Sequence, residues 1–111
     1  MSNEEIKTFL GHILESIGDI ENYMADLSPD QFLKSKIVQD AVTRRLEIMG
    51  EATKNIPKDF RAKYPEVPWQ DIAGLRDVLI HHYFGVDQEL TFDLIKNDIP
   101  NLKILITKLI L

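Results

Sequence analysis

Hydrophobic residues recur at helical spacing along most of this chain. Ile6, Phe9, Leu10, Ile13, Leu14, Ile17, Ile20 and Met24 fall three or four positions apart, which places them on one stripe of a helix with about 3.6 residues per turn. They predict one long amphipathic helix over about residues 3–27. His12 lies off that stripe and is expected at the surface. Ser28-Pro29-Asp30-Gln31 then reads as an N-cap, a proline at the first helical position and a glutamine at the capping-box position. A second helix is expected from there to about Asn55. Val38, Val42, Leu46, Met49, Thr53 and Ile56 share one side of it, widened by Ile37, Ala41, Ile48 and Ala52, while Asp40, Arg44, Glu47, Glu51 and Lys54 gather opposite. The apolar arc approaches about 180°, broader than one partner helix needs, so part of it is expected to meet a second protein chain. Arg45 falls inside the arc. It either lies along its own aliphatic stem with the charge outward or reaches a catalytic cleft.

Pro57, Pro65 and Pro68 punctuate the next stretch, and Pro57 to Lys63 reads as a short helix between breaks. Trp69 opens another helix with Pro68 before it, Asp87 reads as the N-cap of the last one, and Asp98-Ile99-Pro100 breaks or kinks that last helix. Leu102, Leu105, Ile106, Leu109 and Ile110 carry its apolar side to the end of the sequence. Nothing alternates with a sustained period of two, and there are no repeats. The pattern therefore predicts an all-α antiparallel helical bundle of about four to five helices, with residues 1–111 forming a single domain.

One position breaks the pattern. Trp69, Ile72, Leu79, Ile80 and Tyr83 all lie within about 60° of Arg76 on an ideal helix, so a permanent cation rises from an apolar stripe. An unpaired buried charge is costly, and Arg76 therefore calls for a carboxylate such as Asp71 or Asp77, for carbonyl groups, or for an anionic ligand. His81 points about 140° away on a continuous helix. The two converge only if the helix ends near Ile80, which Gly85 makes plausible, or if a second subunit contributes.

Composition narrows the chemistry. The 111 residues include no cysteine, which excludes a disulfide scaffold and thiolate metal sites. No apolar run approaches the length of a membrane span and the first residues are acidic, so the expected location is cytoplasmic. Net charge is −5, unevenly divided: residues 1–33 carry one Lys against seven acids, residues 34–63 carry eight Lys or Arg against four, and residues 64–111 carry four against seven. The middle third is either a solvated helix face or a basic rim that phosphates could follow. His81-His82 is a poor metal site because adjacent side chains diverge on a helix and the H-E-x-x-H spacing is missing. No metal or cofactor is expected.

Arg76, four residues, His81, one residue and Tyr83 form an R-x-x-x-x-H-x-Y motif. With Leu46-Glu47-Ile48-Met49-Gly50-Glu51-Ala52, Phe60-Arg61-Ala62-Lys63-Tyr64-Pro65, Pro68-Trp69 and Tyr83-Phe84-Gly85-Val86-Asp87, the chain resembles the HepT-like toxins of the HEPN superfamily over nearly its whole length. Asp77 fits the preference for a small polar residue after the arginine. His82 also meets the looser spacing, but only His81 has a tyrosine at the right distance. The resemblance implies a homodimeric, metal-independent endoribonuclease whose RNA substrate attacks its own phosphate through the 2′-hydroxyl. Arg76 and His81 would be catalytic, Tyr83 would sit on the rim, and Asp77, His82 and Arg45 would give possible support. It further implies an MNT-type nucleotidyltransferase antitoxin that silences the toxin by transferring AMP to Tyr83. A non-catalytic dimeric HEPN module that binds such a nucleotidyltransferase is the competing reading.

Overall fold

In the first helix, α1 (Asn3–Met24), every residue of the predicted stripe faces inward. Leu10, Ile13, Ile17 and Ile20 are fully buried, whereas Phe9 and Leu14 pack at the margin of the core. The Ser2 hydroxyl starts the helix by accepting from the Glu5 amide at 3.1 Å, and His12 is exposed, with its ring edge against Phe9. The computed structural model describes residues 1–75, 77 and 87–111. Within them follow α2 (Pro29–Lys34), α3 (Lys36–Lys54), α4 (Lys58–Lys63), α5 (Trp69–Ala73), α6 (Gln88–Asn97) and α7 (Ile99–Ile110). These seven segments include four of ten residues or more, α1, α3, α6 and α7, which make up the helical bundle.

The stretch expected as a single second helix is two. Ser35 takes an extended conformation, φ −105° and ψ 93°, and separates α2 from α3. Two interactions compensate the interruption. The Ser35 hydroxyl accepts from the Val38 amide at 3.3 Å, starting α3. The Gln39 side-chain amide donates to the Phe32 and Leu33 carbonyls at 2.9 and 3.1 Å, so the end of α2 is not left unpaired. The break turns Phe32 inward, where it is fully buried against Phe92 of α6. The capping box at the start of α2 is as expected, with Ser28 and Gln31 bonding reciprocally at 2.9 and 3.2 Å.

The core runs along α1, which packs between α3 and α7; α5 lies on α3, and α6 on α2 and α7. Val42, Leu46, Met49, Ala52, Thr53 and Ile56 of the second apolar arc are buried within this one chain. Less of the arc is left for a partner than its width in sequence implies: Ile37 is 84% exposed, and Val38, Ala41 and Ile48 are partly covered. Lys103 of α7 meets Glu21 of α1 at 2.9 Å. No helix among the described residues is long and apolar enough to cross a membrane.

Candidate active site

The described residues fix both stems of the motif. On its N-terminal side, Pro68 precedes α5, and Trp69 and Ile72 are buried on α3. The Trp69 indole N–H donates to the Tyr64 carbonyl at 2.9 Å, which ties α5 to the end of α4. α5 stops at Gly74, whose amide donates to the Gln70 carbonyl at 2.9 Å. A Cβ at Gly74 would stand 3.2 Å from that same carbonyl oxygen, so glycine suits the close turn. The helix expected to run unbroken from Trp69 through Arg76 is thus interrupted after Ala73. Leu75 is nearly buried and Asp77 is helical and exposed. On the C-terminal side Asp87 caps α6, its carboxylate accepting from the Leu90 amide at 3.0 Å and its carbonyl from the Thr91 hydroxyl at 2.9 Å. Arg76, His81, His82 and Tyr83, all singled out in the sequence, lie outside the described residues.

Beside the N-terminal stem is a cleft of about 300 Å³. Ile72, Leu75, Leu94, Ile99, Leu102 and Leu105 form its apolar floor, and Asp71, Asn97, Asp98 and Asn101 stand on its rim with Pro68. Asp71 and Asp77, the carboxylates considered as structural partners for Arg76, make no ion pair among the described residues. Arg45 has a carboxylate partner that neither expectation named. Its guanidinium bonds the Asp19 carboxylate of α1 at 3.3 Å, with both side chains about a third exposed or less, 27% and 35%. The pair clips α1 to α3 at the edge of the core. No signal within helix α3 could have found Asp19, which is 26 positions away.

A second groove, about 210 Å³, lies at the start of α1, between that helix, α4 and the end of α7. Asn3, Ile6, Lys7, Leu10, Phe60, Tyr64 and Leu109 line it. The Phe60 and Tyr64 rings lean on one another with centroids 5.0 Å apart, and Phe60 meets the edge of Trp69 at 6.4 Å.

A family model described as Ribonuclease HepT-like matches residues 13–109, nearly the entire bundle. The class is therefore a ribonuclease built on an all-α scaffold. The chain belongs to the HepT-like ribonuclease family. A Methanocaldococcus jannaschii protein named "Gamma-glutamylcyclotransferase and putative RNase" is 54% identical over 100 residues, which is 90% of this chain and 45% of that protein. This chain thus spans about half the length of that relative. A protein of the same organism named "Putative RNase" is 50% identical over 101 residues, 91% of this chain and 84% of its own. The "Probable ribonuclease HepT" of Thermococcus cleftensis is 48% identical over 97 residues, 87% of this chain and 88% of its own. No solved structure matches the chain.

Proposed function

We propose that the chain is the toxin of a toxin–antitoxin pair and cleaves RNA internally without a metal ion. The observation that carries the reading is the Arg76, His81, Tyr83 motif in a chain that belongs to the HepT-like ribonuclease family. In the reaction the substrate's 2′-oxygen attacks the neighbouring phosphorus as its proton is removed. The bond to the 5′-oxygen breaks and that oxygen takes up a proton, so one strand ends in a 2′,3′-cyclic phosphate and the next begins with a 5′-hydroxyl. Imidazole suits the proton transfers because it titrates near neutral pH. Arg76 suits the phosphoryl oxygens, since guanidinium stays ionised and presents a planar fork of donors as their charge grows. One imidazole does not readily act as base and acid in the same turnover. A two-fold homodimer that brings two His81 side chains to one cleft supplies both groups.

Control of such an enzyme follows from Tyr83. AMP transferred from ATP to its hydroxyl by a partner nucleotidyltransferase, with release of pyrophosphate, adds a phosphate seven positions from Arg76 in the motif, where it would block or repel the RNA backbone.

The deciding experiment incubates purified protein with RNA in EDTA. Cleavage with cyclic phosphate ends is expected, abolished in Arg76→Ala and His81→Ala and mostly kept in His82→Ala. A dead His82→Ala protein would move the role to that histidine, and a wild-type protein that cuts nothing would leave a binding module. After exposure to the cognate nucleotidyltransferase, ATP and Mg²⁺, peptide mass spectrometry should find AMP on Tyr83 and not on Tyr64 or Tyr23.

A further inference from the structure

Some cations of this protein are already neutralised. Arg44, Arg45, Lys54 and Lys103 each stand against a carboxylate, at 3.8, 3.3, 3.9 and 2.9 Å. Lys7, Lys34, Lys36, Lys58, Arg61, Lys63, Lys96 and Lys108 have no such partner among the described residues, and the Nε of Arg61 is buried with no acceptor among them. Four of these, Lys7, Lys58, Arg61 and Lys63, lie on or beside one feature. Lys7 lines the groove between α1, α4 and the end of α7, while Lys58, Arg61 and Lys63 lie on α4, the helix that supplies its Phe60 wall and ends beside Tyr64.

We propose that this groove is an accessory RNA-binding subsite. It takes one unpaired base of the substrate against Phe60 and Tyr64, and Lys7, Lys58 and Lys63 hold the adjacent phosphates. The proposal rests on the RNA-cleaving reading of the motif and adds to it a place where the polymer is held, on residues that belong neither to the motif nor to its stems. Three observations favour RNA over an apolar protein segment. The volume, about 210 Å³, suits a single planar ring. Its lining combines the half-buried rings of Phe60 and Tyr64 with the exposed ammonium of Lys7, and Lys58 and Lys63 are exposed on the same helix as Phe60, the pairing that single-stranded nucleic acid uses, because every base has a face to stack and every linkage a charge. Finally, the unpaired lysines Lys58 and Lys63 belong to the one third of the chain that is net positive in a protein of net charge −5.

The test measures affinity of the His81→Ala protein for a labelled single-stranded oligoribonucleotide across a salt series, beside cleavage by proteins that keep His81. The doubly reversed Lys58→Glu/Lys63→Glu protein should bind at least about tenfold more weakly, and its log-affinity against log-salt slope should fall by about 0.7 for each phosphate no longer neutralised. Tyr64→Leu should bind about tenfold more weakly with the slope unchanged, and Tyr64→Phe should restore the affinity. Cleavage of a dinucleotide, which has no nucleotide beyond the scissile linkage for the groove to hold, should be unaffected in all of them. On long RNA the defect should fall on KM and not on kcat. Lys34→Glu/Lys36→Glu makes the same charge change elsewhere. A defect equal to that of the α4 pair would overturn the proposal, since net charge alone would explain it. Unchanged affinity and slope in Lys58→Glu/Lys63→Glu would also overturn it and leave the groove to a protein segment. A wild-type protein that binds RNA through the groove but cuts neither substrate would sink the catalytic reading and leave the subsite standing.

Discussion

Two depressions among the described residues are similar in construction and opposite in rim. Each has an apolar floor built from α7 together with an earlier helix, α5 in one case and α1 in the other. The larger sits beside Leu75, at the stem of the motif, and its rim carries Asp71 and Asp98. The smaller has Lys7 at its edge and the unpaired cations of α4 around it. Hydrophobic burial shaped both floors, and that force is blind to what comes next. On the proposal made above, rim charge does the sorting: an anionic polymer would be drawn to the smaller groove and repelled at the larger cleft, over distances of about a Debye length. A net charge of −5 is thus compatible with RNA as substrate, because it is unevenly divided and residues 34–63 carry eight Lys or Arg against four acids.

The separation between chemistry and binding gives the largest expected effect. His81→Ala should lower kcat at least about a hundredfold, the scale of general acid–base catalysis, while affinity for RNA measured by fluorescence polarisation stays within about twofold. A parallel collapse of affinity would place the main RNA-binding surface at the motif and not at the basic groove. Next in size is reversal of the acidic rim. Asp71→Lys/Asp98→Lys should raise RNA affinity several-fold at low salt, with the gain fading as salt rises; weaker binding would mean that the acidic cleft itself touches the RNA. A smaller change follows from the C-terminal stem. Asp87→Ala removes the cap of α6 and should cost about 1 kcal/mol, seen as a lowered melting temperature, with cleavage reduced beyond what the unfolded fraction explains. The smallest is Asp19→Asn. Its pair with Arg45 is partly exposed, so stability should change by less than about 1 kcal/mol in chemical denaturation. A drop in cleavage without a drop in stability would instead give Arg45 a part in the chemistry.

Much of the architecture was legible because it is local. The inward stripe of α1, the reciprocal cap at Ser28 and Gln31, the Asp87 cap and the break before Pro100 each depend on residues within one or two turns. So does the motif, whose spacing carries the family resemblance. Other features depend on partners far along the chain. The interruption at Ser35 is supported by Phe32 docking on Phe92 and by Gln39 reaching back to two carbonyls; nothing in Lys34-Ser35-Lys36 itself forbids a continuous helix. Arg45 looked like a misplaced charge until Asp19 stood beside it.

The sequence by itself determined that the chain is a helical bundle and which residues carry the motif, because periodicity, caps and spacing act over a few residues at a time. Only the tertiary structure decided how much of the wide arc on α3 a single chain consumes, which cations are already paired, and that Lys7 from one end of the chain, Phe60 and Tyr64 from the middle and Leu109 from the other end share one groove. Those outcomes depend on which helix packs against which. A charge or a ring acquires its role from the neighbours that packing brings, and their distance in sequence has no bearing on the energy of the contact.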